Sequence, residues 1–245
     1  MSKLADLLTR VSRGPQTRMG FGPRSTDQVP PLLLLASGEA RALPAETAGR
    51  VDAFLVTEGP TEPPAAESLV WGAQASTAET GPLREAGGDF LAFEPAQAPA
   101  SVLNEETLGK VLVVDPEASD TVLRATDALP IDATLLDLTD GALTVERLMS
   151  AYRVAGLVRK PLIVVAEPSW GRDELVALRD AGALGVLVRL PVAEGTIARL
   201  HDIIGALPPR KRPRPRGEAL LPAMREEQPT ALPPEIEEPD EDDDD

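Results

Sequence analysis

Several polar residues in this chain stand directly after short apolar runs, where a strand-borne side chain can reach a ligand. Asp115, Asp137 and Glu167 are the carboxylates in such positions that could act together. Brought together, they could hold Mg²⁺, a hard cation that takes oxygen ligands and few of them from protein. They could also divide general acid and base duties, provided burial raises the pKa of one. Arg189 follows the last run, and with Arg172, Trp170 and Gln74 it makes a candidate ligand-binding set. A guanidinium fork suits phosphate or carboxylate. Ser37, Glu39, Glu58, Ser76, Glu94, Glu117 and Asp140 occupy comparable positions. A purely structural account competes with all of these. An acid between a strand and a helix caps free N–H groups and complements the helix dipole.

The inventory excludes several chemistries. There is no cysteine, and the single histidine, His201, falls in the last outer helix away from the ligand-facing ends, so neither a zinc site nor haem ligation is expected, nor a serine–histidine–aspartate triad. Lys110 and Lys160 precede their apolar runs, leaving no lysine at the ligand-facing ends for a Schiff base. Gly20-Phe21-Gly22 lacks the lysine and spacing of a phosphate-binding P-loop.

The runs that carry these residues come in two registers. Leu32–Ala36 matches Val111–Asp115 at an offset of 79, and Asp52–Val56 matches Asp132–Leu136 at 80. Leu69–Ala73 matches Leu162–Ala166 at 93, and the runs beginning at Asp89 and Leu184 match at 95. Leu83-Arg84-Glu85-Ala86-Gly87 before one of these returns as Leu178-Arg179-Asp180-Ala181-Gly182 before the other. Each run is nearly all apolar and bounded by Gly, Pro or acid, as parallel strands buried on both faces are. The pattern resembles a (β/α)8 barrel built from two half-barrels, a fold whose ligand sites lie at the C-terminal ends of the strands.

The barrel should be lean. Pro60, Pro63 and Pro64 keep the connection from Thr57 to Ser68 from being helical before Ala65. Thr144–Val158, Asp173–Ala181 and Val192–Leu207 read as full helices. One flank therefore has shortened or missing helices, and an N-terminal helix or a second subunit is expected to cover it. Leu4, Leu7, Leu8 and Val11 form one apolar stripe on such a helix, with Ser2 placed as its cap. That helix could plug the barrel, cover a gap in its outer ring or lie on a membrane, and covering the barrel is expected.

Residues 110–205 also resemble a response-regulator receiver domain, through Lys110–Glu117, Leu135–Leu138, Pro161–Ala166 and Ala181–Pro191. The resemblance implies a phosphoacceptor at Asp137. Ala166 stands where such domains place a hydroxyl, and Arg189 stands in place of their lysine. Ala181–Val188 is similar, further, to the last strand of barrels that bind phosphorylated ligands or flavin mononucleotide, although no glycine follows Val188.

The expected organisation is residues 1–30 as N-terminal helix and Gly/Pro-rich loop, then 31–207 as the barrel, with half-barrels 31–108 and 109–207. Residues 208–245 are expected to be a disordered basic-then-acidic tail. The formal charge of −16 divides unevenly: five bases lie between Arg210 and Arg216, and twelve acids and one base between Glu218 and Asp245. The acidic run offsets the basic knot, so nucleic-acid binding is not expected. No membrane span or secretory signal is expected, and the location is expected to be cytoplasmic. The partner expectation is a homodimer or another protein on the helix-poor flank. For function, the sparse catalytic inventory favours a non-catalytic scaffold or interaction module. The alternative is a small-molecule enzyme, a lyase, isomerase or hydrolase, using an acidic, Mg²⁺-binding rim or a phosphorylated ligand.

Overall fold

The computed structural model describes residues 2–14, 29–57, 63, 64, 66, 68–74, 80–139 and 141–208. All of these fall within one compact unit, 1–211. The expected tail and the Gly/Pro-rich loop, residues 15–28, lie outside the described residues.

Strands β1 (Leu33–Gly38), β2 (Ala53–Val56), β3 (Val70–Gln74), β4 (Phe90–Phe93), β5 (Gly109–Val114), β6 (Ala133–Asp137), β7 (Leu162–Val165) and β8 (Ala183–Arg189) close in sequence order into a barrel. All neighbours are parallel, including β1 with β8. Alternate side chains point to opposite faces of a strand. One set, including Leu33, Leu35, Leu55, Phe90, Val111, Leu135, Ile163 and Val165, fills the interior. The other, including Leu34, Phe54, Trp71, Leu112, Leu136 and Val164, packs beneath the outer layer. Both faces are buried, which is why the runs are apolar without alternation.

Strands β2 and β6 begin alike. Asp52 accepts the Leu34 amide at 2.8 Å just before β2, and Asp132 accepts the Lys110 amide at 2.8 Å just before β6. Pairing aligns Leu35 with Ala53 and Val111 with Ala133, so Leu35 is the counterpart of Val111 at an offset of 76. The offset of 79 expected from the apolar runs is corrected, because an odd slip would exchange the inner and outer faces. The barrel is continuous through residues 110–205, so the receiver-like pattern is that of its second half.

Helix α1 (Lys3–Arg13) closes the N-terminal end of the barrel. Leu4, Leu8 and Val11 join the interior cluster. Ser2 Oγ accepts the Ala5 amide, while the Asp89 carboxylate accepts the Lys3 and Leu4 amides at 2.7 and 2.9 Å. Negative charge there also suits the positive end of the helix dipole. The floor leaves no room for a side chain on Gly109, whose Cβ would lie 2.4 Å from Ser2 Oγ.

The outer layer is uneven, as expected. Helices α2 (Ala45–Ala48) and α3 (Thr80–Glu85) are short, and a 3₁₀ turn (Ala100–Asn104) follows β4. Helices α4 (Asp120–Ala128), α5 (Val145–Leu157), α6 (Arg172–Ala181) and α7 (Thr196–Gly205) dress the other side. The described residues of the helix-poor flank bury apolar surface among themselves. Trp71 and Phe93 are buried there, in one cluster with Leu83 and Val102 from the short elements and Leu43 and Leu108 from the loops. Among the described residues, the large exposed apolar side chains are instead Val122, Val145, Met149 and Tyr152, on α4 and α5. No helix of the described residues is long and apolar enough to cross a membrane.

Candidate functional site

Strand alternation carries the inward set one step further at the C-terminal ends, from Leu35 to Ser37, Leu135 to Asp137 and Leu187 to Arg189. There the interior changes from apolar to polar. Ser37 and Arg189 are register partners on β1 and β8, and Asp137 ends β6 beside Val165 of β7.

Arg189 reaches past the end of β7 to β6. Its Nη2 donates to Asp137 Oδ2, and its Nη1 donates to Thr139 Oγ1 at 3.1 Å. Thr139 in turn donates its amide (3.0 Å) and hydroxyl (2.6 Å) to Asp137 Oδ1. Burial works to raise the Asp137 pKa, but the Thr139 hydroxyl and amide and the Arg189 guanidinium outweigh it, holding the carboxyl below its ordinary range. Asp137 is therefore an anion at neutral pH, suited to orient Arg189 and unsuited to donate a proton. The pair is open to water, with side chains 56% and 37% exposed. Water weakens such a pair to about 1 kcal/mol or less, so a ligand anion can compete for the guanidinium.

The other expected residues are more dispersed. Asp115 is exposed and accepts the Glu117 amide at 2.8 Å, the local capping role that its position after a strand suggested. Glu167 is half-buried, and its carbonyl accepts the Trp170 amide. Gln74 is exposed at the end of β3. Among the described residues, no three acidic or histidine side chains are grouped so that they could hold a metal ion. The expected Mg²⁺ triad of Asp115, Asp137 and Glu167 is corrected on that ground. Two of its carboxylates are engaged by amides of their own loops, and Asp137 also by Arg189.

The contacts of Trp170 and Arg172 lie apart from the Arg189–Asp137–Thr139 cluster. Trp170 is 3% exposed, and its indole N–H donates to the Gly141 carbonyl at 3.1 Å, tying the loop after β7 to the loop after β6. Arg172 begins α6 and lines an open groove of about 570 Å³ with Arg199, Asp202, Ile203 and Ala206, between α6 and α7. Arg199 donates to the carbonyls of Trp170 and Pro168, pinning the same loop from α7. Asp140, Glu58 and Ser76 lie outside the described residues.

Sequence reasoning missed two contributors. Thr139 is legible in retrospect, because Asp137-Leu138-Thr139 has the spacing at which an Asp oxygen accepts the amide two residues on. Arg199 carried no comparable signal, since only packing of α7 against the barrel brings it to the loop after β7.

Fold and mouth together define a (β/α)8-barrel protein with its polar groups gathered at the C-terminal end. No protein-family model matches the chain, and no curated protein matches its sequence. Solved structures do match its shape. Two mutant tryptophan synthase alpha-subunits from the hyperthermophile Pyrococcus furiosus align at TM-scores of 0.55 and 0.54 with 12% and 13% identity, each over 70% of this chain and 96% of theirs. A third mutant of that subunit aligns at 0.52 with 14% identity, over 71% and 90%. At such identity the likeness shows the barrel fold. These neighbours are subunits of a synthase, so the expectation of a non-catalytic scaffold is corrected to its small-molecule enzyme alternative, which at this identity stands as a proposal.

Proposed function

We propose that the chain is a small-molecule enzyme acting at its C-terminal mouth on a phosphorylated or carboxylated substrate. Arg189 would hold the anionic group, and carboxylates of the same rim would move protons. The observation that carries this reading is the Arg189–Asp137–Thr139 cluster, which sets an oriented, half-exposed guanidinium above an apolar interior. Asp137 and Thr139 position that guanidinium. Of the expected acids, half-buried Glu167 in the loop after the neighbouring strand is the candidate base or acid, with Asp115 a more exposed second. Proton abstraction or return beside an anchored anion is the chemistry of lyases and isomerases, and no step needs a metal. A cytoplasmic setting and a protein partner belong to the same proposal, although its test depends on neither.

The test is a thermal shift of the full chain with inorganic phosphate, small phosphate monoesters and dicarboxylates at millimolar concentration. A ligand present at ten times its Kd stabilises by about 1.4 kcal/mol, or roughly 3–6 °C for a domain of this size. The expected result is such a rise with at least one class, lost in Arg189→Met. No rise with any of them, or an equal rise in the variant, would overturn the reading.

A further inference from the structure

On α5, Val145, Met149 and Tyr152 follow one another at i, i+4 and i+7 and are 75%, 65% and 50% exposed. This spacing places them on one face of the helix, opposite Ala151 and Val154, which are buried against the barrel. Gly156 continues the stripe by a further turn, and open space surrounds the place where its Cβ would be. Isolated apolar residues on a surface are ordinary. An unbroken stripe on the outer face of a helix that already buries its other side is a surface for a partner.

Charge indicates which partner. Glu146 and Arg153 lie seven residues apart on the same edge of the stripe, two helical turns from each other. Arg153 is held extended by the Pro116 carbonyl at 2.7 Å and Asp120 at 3.4 Å, and its side chain remains 35% exposed. Two antiparallel copies of α5 related by a two-fold axis keep equivalent edges on the same side. Met149 then faces Tyr152 and Val145 closes over Gly156, while Glu146 falls two residues, about 3 Å along the axis, from directly opposite Arg153 of the second copy, within reach of two such long side chains. The stripe is complementary to itself, which is the requirement of an isologous dimer.

We propose that the chain self-associates through antiparallel pairing of α5. Four positions on one helix make a small interface, at or below about 1,200 Å² in total, so the dimer is reversible. It forms on the helix-rich side of the barrel and leaves the mouth of each copy open.

Sedimentation velocity of the full chain over a concentration series up to about 100 μM covers the range in which an interface this small associates. The expected result is a concentration-dependent dimer. Met149→Glu should weaken it tenfold or more by burying a charge at the centre, and Glu146→Arg should weaken it by opposing Arg153 of the second copy. Both sites are exposed, so far-ultraviolet circular dichroism should be unchanged in each variant. A monomer throughout the series would overturn the proposal and leave the stripe to a different protein. A dimer unaffected by Met149→Glu would place the interface elsewhere, and one unaffected by Glu146→Arg would rule out the antiparallel arrangement.

Discussion

Two aspartates with opposite perturbations separate site from scaffold at the residue scale. Asp137 has its pKa lowered in the fold, so the stability it contributes is present above the unfolded value, near 4, and is lost as pH falls through the folded value. Asp137→Asn should flatten the acid limb of the stability curve while changing neutral stability by about 1 kcal/mol or less, because the pair is open to water. Asp52 behaves the other way. Burial raises its pKa more than the Leu34 amide and His201 lower it. Its protonated form suits the fold, so stability is fully present below the unfolded value and declines as pH rises through the folded one. Asp52→Asn keeps an oxygen for the Leu34 amide and removes the buried charge. Urea titrations at pH 4 and 7 should show the variant gaining relative to the parent at the higher pH. A loss at pH 7 would mean that the charged hydrogen bond outweighs its burial.

At the scale of elements, a close approach between strands and a buried side chain beneath them hold the barrel together. A Cβ on Gly72 of β3 would lie 2.1 Å from the Phe90 carbonyl of β4, a distance that only movement of the backbone could relieve. Gly72→Ala should therefore cost about 1–3 kcal/mol or more, seen as a fall in Tm of roughly 2–12 °C. Leu8 is fully buried beneath the strands. Leu8→Asp should destabilise by about 2–5 kcal/mol and expose the barrel floor. An unchanged Tm would show that α1 is dispensable. The eight strands were legible because burial on both faces forces unbroken apolar runs, and α1 because its stripe has helical spacing. The face each strand turns inward was not fully legible. A run apolar on both sides carries no parity, so β1 and β5 were matched an odd number of residues from their true correspondence. The packing of the helix-poor flank was hidden as well, since Leu83 and Val102 sit in short elements and Leu43 in a loop, none with helical periodicity.

For the whole molecule, chain closure decides which rim residues meet. Arg189 and Asp137 are 52 residues apart in sequence and converge because β6, β7 and β8 are consecutive in the ring. That convergence was legible as far as the rim as a set, and not as a particular pair. Among the described residues no metal-holding triad forms, and Asp115 and Asp137 each accept an amide of their own loop instead. The described residues all lie in 1–211, so removing 212–245 should shift the thermal midpoint by no more than a few degrees. Loss of a cooperative transition on truncation would contradict that division. The central claim is that Arg189 anchors an anionic substrate at the mouth. Its most direct measurement is titration of the arginine side-chain N–H signals by nuclear magnetic resonance with the phosphate or carboxylate ligand that gives the largest thermal shift. The account predicts saturable movement of the Arg189 signal, assigned through Arg189→Met, with Arg172 and Arg199 still. Movement confined to Arg172 and Arg199, in the groove between α6 and α7, would contradict it.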